Sequence, residues 1–348
     1  MVSASGTVVE SSQVPSKSDK DSFRRRPAAS DFFERYGLLL VFAGTSIVFG
    51  ILRPDTFLTY ATLRTILSTQ SVLAVAALAL IIPLIGGRFD ISVGANLGLS
   101  SLVAASCMQN YSLPLIAAIV LGIATGALVG LVNGFLVAYL GVNAIISTLG
   151  VTIVIQGLVI AYTGGIPVSN NLSRTLTNLS VTVLVYVPAL FVLMLIVAAG
   201  TWFLLRQTPY GRYLQAVGSN LNAARLTGIP VSRIVMLSFV FAGVLAGVAG
   251  VLQIGAQGNA DPQVGSINFI LPALAAAFLG ATTWKPGTYN VVGTLIALFF
   301  LSTVVSGLSL LGVAPWVTDV FNGAAVIVAI TVSAQFRRRR TGTLDVGI

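Results

Sequence analysis

The chain has 348 residues, 56% of them hydrophobic and only 8% charged, with a mean hydropathy of +0.95. Those values exclude a soluble domain built on one large core, and apolar runs near twenty residues select membrane-crossing helices over the shorter, alternating strands of a barrel. The formal charge of +9 lies beside the apolar runs, where topology determinants sit, so nucleic acid is excluded as a partner and the lipid bilayer takes its place.

The expected fold is all-α, a polytopic bundle of about ten transmembrane helices. Residues 1–36 are polar, rich in Ser, Lys, Arg and Asp, and lack the apolar core of a cleavable signal peptide; they read as a disordered cytoplasmic tail. Apolar segments follow near 37–52, 66–86, 91–108, 113–139, 144–163, 183–205, 234–254, 268–283, 288–310 and 316–336. Together they form a transmembrane domain over 37–336, and Arg337, Arg338, Arg339 and Arg340 open a basic cytoplasmic tail over 337–348. An even number of crossings returns both termini to one side. With that parity, 16 of the 19 Lys and Arg residues fall on the terminal side, and only Arg53, Arg64 and Arg174 fall opposite. The positive-inside bias makes the terminal side cytoplasmic, and one missed helix would invert every loop beyond it.

The fourth segment carries Gly122, Gly126, Gly130 and Gly134, and the seventh carries Gly243, Gly247 and Gly250. Spacing of this kind lets helix backbones approach closely and signals packing of the bundle. Two inside turns are glycine-rich, GGRFDISVG at 86–94 and GATTWKPGTYNVVG at 280–293. Gly87, Asp90, Ser92 and Gly94 in the first, with Gly280 and Gly287 in the second, are candidate gate or turn residues. Asp90 also suits a simpler part, capping Ser92 or Val93 at a helix start.

The longest internal run too polar for hydrocarbon is 206–233, RQTPYGRYLQAVGSNLNAARLTGIPVSR. Within it Asn220 is an N-cap, Leu221 to Thr227 form two helical turns, and Gly228 with Pro230 stops them. A helix this short needs a surface to dock on. Leu221 and Ala224 share a small apolar face, and Arg212 and Arg225 supply charged anchors. The run reads either as a loop held to headgroups by arginine or as a docking element for a soluble partner.

The chain has no histidine and a single cysteine, Cys107, so a disulfide within the chain is excluded and a metal site is not expected. The lysines, Lys17, Lys20 and Lys285, do not complete a GxxxxGK[ST] phosphate loop, and neither a nucleophile elbow nor HExxH occurs. The chain is therefore expected to be non-enzymatic, with no cofactor of its own. Apart from Asp319 near the start of the last segment, charges are also missing from the apolar segments, which disfavours proton coupling through a buried carboxylate and leaves uncharged polarity. Asn96, Ser100, Asn133, Asn143 and Ser147, with Gln156, Gln253, Gln257 and Asn290, suit either hydrogen bonds between helices or a weakly binding pathway for a neutral, hydroxylated solute.

Four ordered blocks carry a family resemblance: GGRFDISVGANLGLSSLVAA, STLGVTIVIQGLVIAYTGGIPV, YGRYLQAVGSNLNAARLTGIPVSRI and VVGTLIALFFLSTVVSGLSLLGVAPWV. In this order, over about 37–336, the chain resembles the permease subunit of ribose-type ABC importers. The resemblance implies a protein of the bacterial cytoplasmic (inner) membrane that translocates a monosaccharide. It implies three kinds of partner: an ATPase subunit that holds ATP and magnesium, a second permease subunit, and an extracytoplasmic sugar-binding protein. It also implies that Gly211, Arg212, Leu221, Asn222, Ala223, Ala224, Arg225 and Gly228 lie in the segment that meets the ATPase.

The chain departs from the family pattern at Arg88 and Phe89, where Gly-Gly-Ile-Asp is usual, and at Pro286–Gly287, where a glycine pair is usual, with Trp284, Lys285 and Tyr289 adding bulk. These departures leave the architecture intact and bear on the cargo. The rival readings are an ABC permease for a nucleoside or branched-chain amino acid, a stand-alone carrier for a neutral polar solute driven by an ion gradient, and a scaffold without transport.

Overall fold

The computed structural model describes residues 28–184 and 186–341, with side chains from 35 to 335. Residues 1–27 and 342–348 of the two expected tails, and the side chains of Arg337 to Arg340, lie outside the described residues. In chain order the helices are α1 (Ala28–Leu52), α2 (Pro54–Phe57), α3 (Tyr60–Ile85), α4 (Val93–Tyr111), α5 (Leu115–Ala138), α6 (Ala144–Thr163) and α7 (Arg174–Thr177). They continue as α8 (Ala189–Gln207), α9 (Pro209–Ser219), α10 (Leu221–Leu226), α11 (Val231–Gln257), α12 (Ile267–Gly280), α13 (Val291–Leu310) and α14 (Pro315–Thr341). A small antiparallel hairpin, β1 (Val183–Leu184) and β2 (Val187–Pro188), sits between α7 and α8 and pairs Leu184 with Val187. The expected all-α, polytopic fold is the observed one.

Among the described residues, eight helices are long and apolar enough to cross a membrane: α1 from Arg35, α3, α5, α6, α8, α11, α13, and α14 as far as Gln335. The two other expected segments are α4, whose apolar run is broken by Asn96, Ser100 and Ser101, and α12, which has 14 residues. At 1.5 Å per residue α12 rises about 21 Å, short of a hydrocarbon core of about 30 Å. Helical backbone at the amino end starts at Ala28, inside the stretch read as tail.

The centre of the bundle is α3. In its spanning stretch 72% of residues are buried, against 11% for α1 and for α14. From Val72 to Ile85 it is apolar all round, as a helix enclosed by other helices must be, and α8, α11, α12 and α13 surround it. The second tight pair is α5 on α11. The two glycine stripes read separately in the sequence face one another: a Cβ on Gly126 would lie 2.8 Å from the Gly247 Cα, and one on Gly243 would lie 2.9 Å from the Gly130 Cα. Only glycine permits that approach, so the stripes form a single interface.

Loops assigned to opposite sides by the parity of the sequence also separate in space. At one end the 86–92 turn rests on α9 through Gly86 against Leu214, and Thr283 and Trp284 donate to the Arg35 carbonyl. At the other end Tyr60 Oη donates to the Tyr186 carbonyl, Arg64 donates to the Val181 carbonyl at 2.7 Å, and Val168 and Ala260 exchange backbone bonds. A missed crossing would have mixed these two sets.

Candidate functional site: the helices of the polar run and the two glycine turns

The long polar run folds into two helices. Thr208 caps α9, accepting from Gly211 N at 3.4 Å, and Pro209 occupies the first helical turn, where its missing N–H is no loss. Gly211, Leu214 and Val217 form the buried face of α9. Gly211 lies against the Leu205 backbone and Gly218 against the Ile85 carbonyl, so neither has room for a side chain. Tyr210 sets its ring edge-on against Phe241 at 5.0 Å; its hydroxyl is buried without a hydrogen-bond partner, and that burial pushes its pKa up.

Asn220 Oδ1 accepts from Ala223 N at 2.9 Å and starts α10 as expected, and Gly228 takes the left-handed φ of +78° just beyond the helix. The structure divides the residues expected to meet an ATPase into two groups. Ala224 is buried and Leu221 half-buried against the chain itself, so this apolar face anchors α10 to its own bundle. Arg212, Asn222, Ala223, Arg225 and Gly228 are exposed, joined by Leu226, which is 90% exposed. Arg225 also lines an open cleft of about 540 Å³ with Tyr139, Pro230, Val231, Ser232 and Arg233.

The first glycine turn is organised by Asp90. Its Oδ1 accepts from Ser92 N at 2.9 Å and from Ser92 Oγ at 2.6 Å, while Asn133 Nδ2 donates to Ser92 Oγ at 2.7 Å. Ile91 N donates to Thr148 Oγ1 of α6 at 3.1 Å, so the turn ties α4 to both α5 and α6. Gly87 takes a φ of +73°, where glycine is favoured, and a side chain on Gly94 would meet Ile270. Asp90 is buried, and desolvation raises its carboxyl to about 6 against the lowering effect of the two Ser92 bonds.

The second turn is organised by Asn290. Its Oδ1 caps α13 by accepting from Gly293 N at 2.7 Å, and its Nδ2 donates to the carbonyls of Gly280, Thr283 and Thr288. Gly287 has a φ of +80°, and Gly280 lies too close to the Gly293–Thr294 backbone for any side chain. The residues that add bulk to the two turns meet. Phe89 stacks on Phe278 at 5.5 Å, and Phe278 meets Tyr289 edge-on at 5.8 Å. Beyond them the Arg35 guanidinium lies 5.1 Å from the Trp284 ring centre, and burial followed by Arg206 and Arg35 lowers the pKa of Lys285. A continuous set of contacts therefore runs from α10 through α9 and the first turn to the second turn.

The polar residues read as a pathway occupy α4, α5 and the start of α6. Asn96 Nδ2 donates to the Gly126 carbonyl at 3.1 Å, and Ser100 Oγ lies 3.4 Å from Asn96 Oδ1; both residues are buried. Asn133 is buried with its Oδ1 unpartnered, and Ser147 is buried with its Oγ unpartnered. Asn143 is exposed and caps α6, accepting from Ile145 N at 2.9 Å.

A family profile described as branched-chain amino acid transport system / permease component matches residues 62–330. The chain belongs to this permease family. The D-allose transport system permease protein of Escherichia coli (strain K12) is 30% identical over 301 residues, covering 86% of this chain and 92% of that protein. The ribose import permease protein of the same strain is 32% identical over 279 residues, 79% of this chain and 86% of that protein. The autoinducer 2 import system permease protein of Enterobacter sp. (strain 638) is 32% identical over 307 residues, 87% of this chain and 88% of that protein. No solved structure matches the chain. These matches bear out the resemblance to ribose-type ABC permeases and make the chain a multi-pass membrane transport subunit.

Three features of this permease escaped the sequence reading. The helix α9 was announced by Thr208–Pro209, a cap followed by a first-turn proline. Leu226 was not singled out within its sequence block, and only the placement of Ala224 shows which side of α10 faces out. The Phe89–Phe278–Tyr289 stack joins residues far apart in the chain, and no local pattern contains it.

Proposed function

We propose that this permease passes a monosaccharide across the bacterial cytoplasmic membrane, with both termini and α9–α10 on the cytoplasmic side. In this reading it works with a second permease subunit, a separate ATPase carrying ATP and magnesium, and a sugar-binding protein at the opposite end. The observation that carries the reading is the exposed row of Asn222, Ala223, Arg225 and Leu226, set on a buried Ala224 and on a glycine-tight base. A leucine 90% exposed beyond the end of the bundle gains about 1.5–3 kcal/mol when a partner covers it. Seven described cations, Arg35, Arg88, Arg206, Arg212, Arg225, Arg233 and Lys285, lie in the segments of this end against Arg53, Arg64 and Arg174 at the other, which supports a cytoplasmic placement.

Displacement of α10 by the closing ATPase is transmitted through α9 to Gly86 and Gly87, and through the aromatic stack to the second turn. Parting of α4, α5 and α6 then presents Asn96, Ser100, Asn133, Asn143 and Ser147 to the solute, while Gly87, Asp90, Ser92, Gly94, Gly280 and Gly287 set the two turns that move. Affinity resides mainly in the binding protein, and the permease wall offers weak, neutral hydrogen bonds. The relatives named for ribose and D-allose favour a sugar over an amino acid. Uptake of labelled monosaccharides by cells carrying the complete system, with and without the ATPase, tests the proposal. ATPase-dependent uptake competed by unlabelled sugar is expected; uptake that survives loss of the ATPase contradicts it.

A further inference from the structure

The connection between α11 and α12 is not a surface loop along its whole length. It leaves the far end of the bundle at Ala260, which is bridged to Val168, and forms a 3₁₀ turn over Pro262–Gly265. That turn is lodged between α4 and α6. A Cβ on Gly98 would lie 2.9 Å from the Gly265 Cα, and Gln156 Nε2 donates to the Gly265 carbonyl at 2.8 Å. Gln156 stands twelve residues beyond the start of α6 at Ala144, about 18 Å along its axis and so close to the middle of a core about 30 Å thick. Five residues beyond Gly265, Ile270 lies 3.1 Å from the Cβ position of Gly94, and the short α12 covers the remaining distance to the α9–α10 end.

Irregular backbone at this depth persists only where protein buries it or where it lines a water-filled space. Here one face is buried by protein and the opposite face is exposed. Val264 and Gly265 are buried, whereas Gln263 and Asn268 are exposed, Gln156 is half-exposed, and Ser266 makes no side-chain cap for α12. Primary amides facing hydrocarbon would each forfeit their hydrogen bonds with water. We propose that this break lines the aqueous route through the permease, and that Gln156, Gln263 and Asn268 form a neutral hydrogen-bonding station for the hydroxyl groups of a polyhydroxylated solute.

The amides suit that chemistry, because each offers a donor and an acceptor to a hydroxyl, Gln156 with one N–H already given to Gly265, without placing a charge at membrane depth. The proposal rests on the transport reading above and adds the element and side chains that meet the solute. It is tested with the complete transporter in proteoliposomes. In a Cys107→Ala background, Gln263→Cys and Asn268→Cys are expected to react with a membrane-impermeant, water-soluble maleimide. Labelling only by a lipid-soluble reagent, or by neither, overturns the aqueous lining. Separately, Gln263→Leu and Asn268→Leu are expected to lower the maximal import rate of ribose or allose about threefold to tenfold each, the range for one neutral hydrogen bond. The half-saturating concentration of loaded binding protein is expected to stay unchanged. An unaltered maximal rate in both variants overturns the station. If the unmodified transporter imports neither sugar, the transport reading fails on cargo, while the maleimide result still decides whether the break is wet.

Discussion

The α5–α11 interface makes a quantitative prediction from a single methyl group. In Gly130→Ala the new Cβ would lie 3.0 Å from the Phe239 carbonyl carbon and 3.1 Å from the Val240 Cα, with the Phe239 oxygen closer still. All three are backbone atoms of a helix, so no rotamer change relieves the contact, and α5 must move away from α11. Overpacking of this kind costs about 1–3 kcal/mol, a change of about fivefold to 150-fold in the folded-to-unfolded ratio. Gly157→Ala is the matched control. It is also helical, it has nothing within 4 Å of its Cβ position, and alanine is intrinsically better in a helix by about 0.5–1 kcal/mol. Thermal unfolding of both variants in the same mild detergent should lower the midpoint for Gly130→Ala and leave it equal or raised for Gly157→Ala. Equal midpoints for the two variants would refute the claim that the glycine stripes set the helix separation.

Three further outcomes follow from particular residues. Because burial raises Asp90 from 3.8 to about 6, the folded state binds its proton more tightly than the unfolded state. The associated stability is full below about pH 4 and is lost as pH rises through about 6. Asp90→Asn should remove that dependence, and melting curves from pH 4 to 8 that run parallel for both proteins would exclude it. Asn220→Ala removes the cap of a helix of only six residues, a loss of about 1 kcal/mol; import should fall severalfold with membrane insertion unchanged, as fractionation and uptake would show. Tyr210→Phe deletes a buried hydroxyl that has no partner, so its melting temperature should stay level or rise. A fall would mean that the hydroxyl is bonded in the folded protein.

Apolar length and charge parity were enough to place all ten helical segments and to divide the loops between two ends, because crossing hydrocarbon constrains every residue of a span. The same rules misjudge depth at α12. Its sequence is as apolar as its neighbours', and only Gly265 seated between Gly98 and Gln156 reveals that the helix begins inside the bundle. The Asn220 cap and the Gly228 stop were legible as local signals, since both act within a few residues. Which side of α10 faces outward was not, because Leu221 and Ala224 form an apolar face whether the surface beneath belongs to a partner or to the chain itself. The aromatic stack was visible only as unexplained bulk at Phe89 and Tyr289.

In the proposed coupling, the exposed side of α10 receives the ATPase while its buried side fixes it to the bundle. Purification of the complex from native membranes, comparing the unmodified chain with Arg225→Glu combined with Leu226→Asp, tests it most directly. Loss of charge complementarity and of about 1.5–3 kcal/mol of apolar burial predicts that the ATPase no longer co-purifies, while the permease inserts and melts as before. An undiminished yield of ATPase with the double variant would contradict the account.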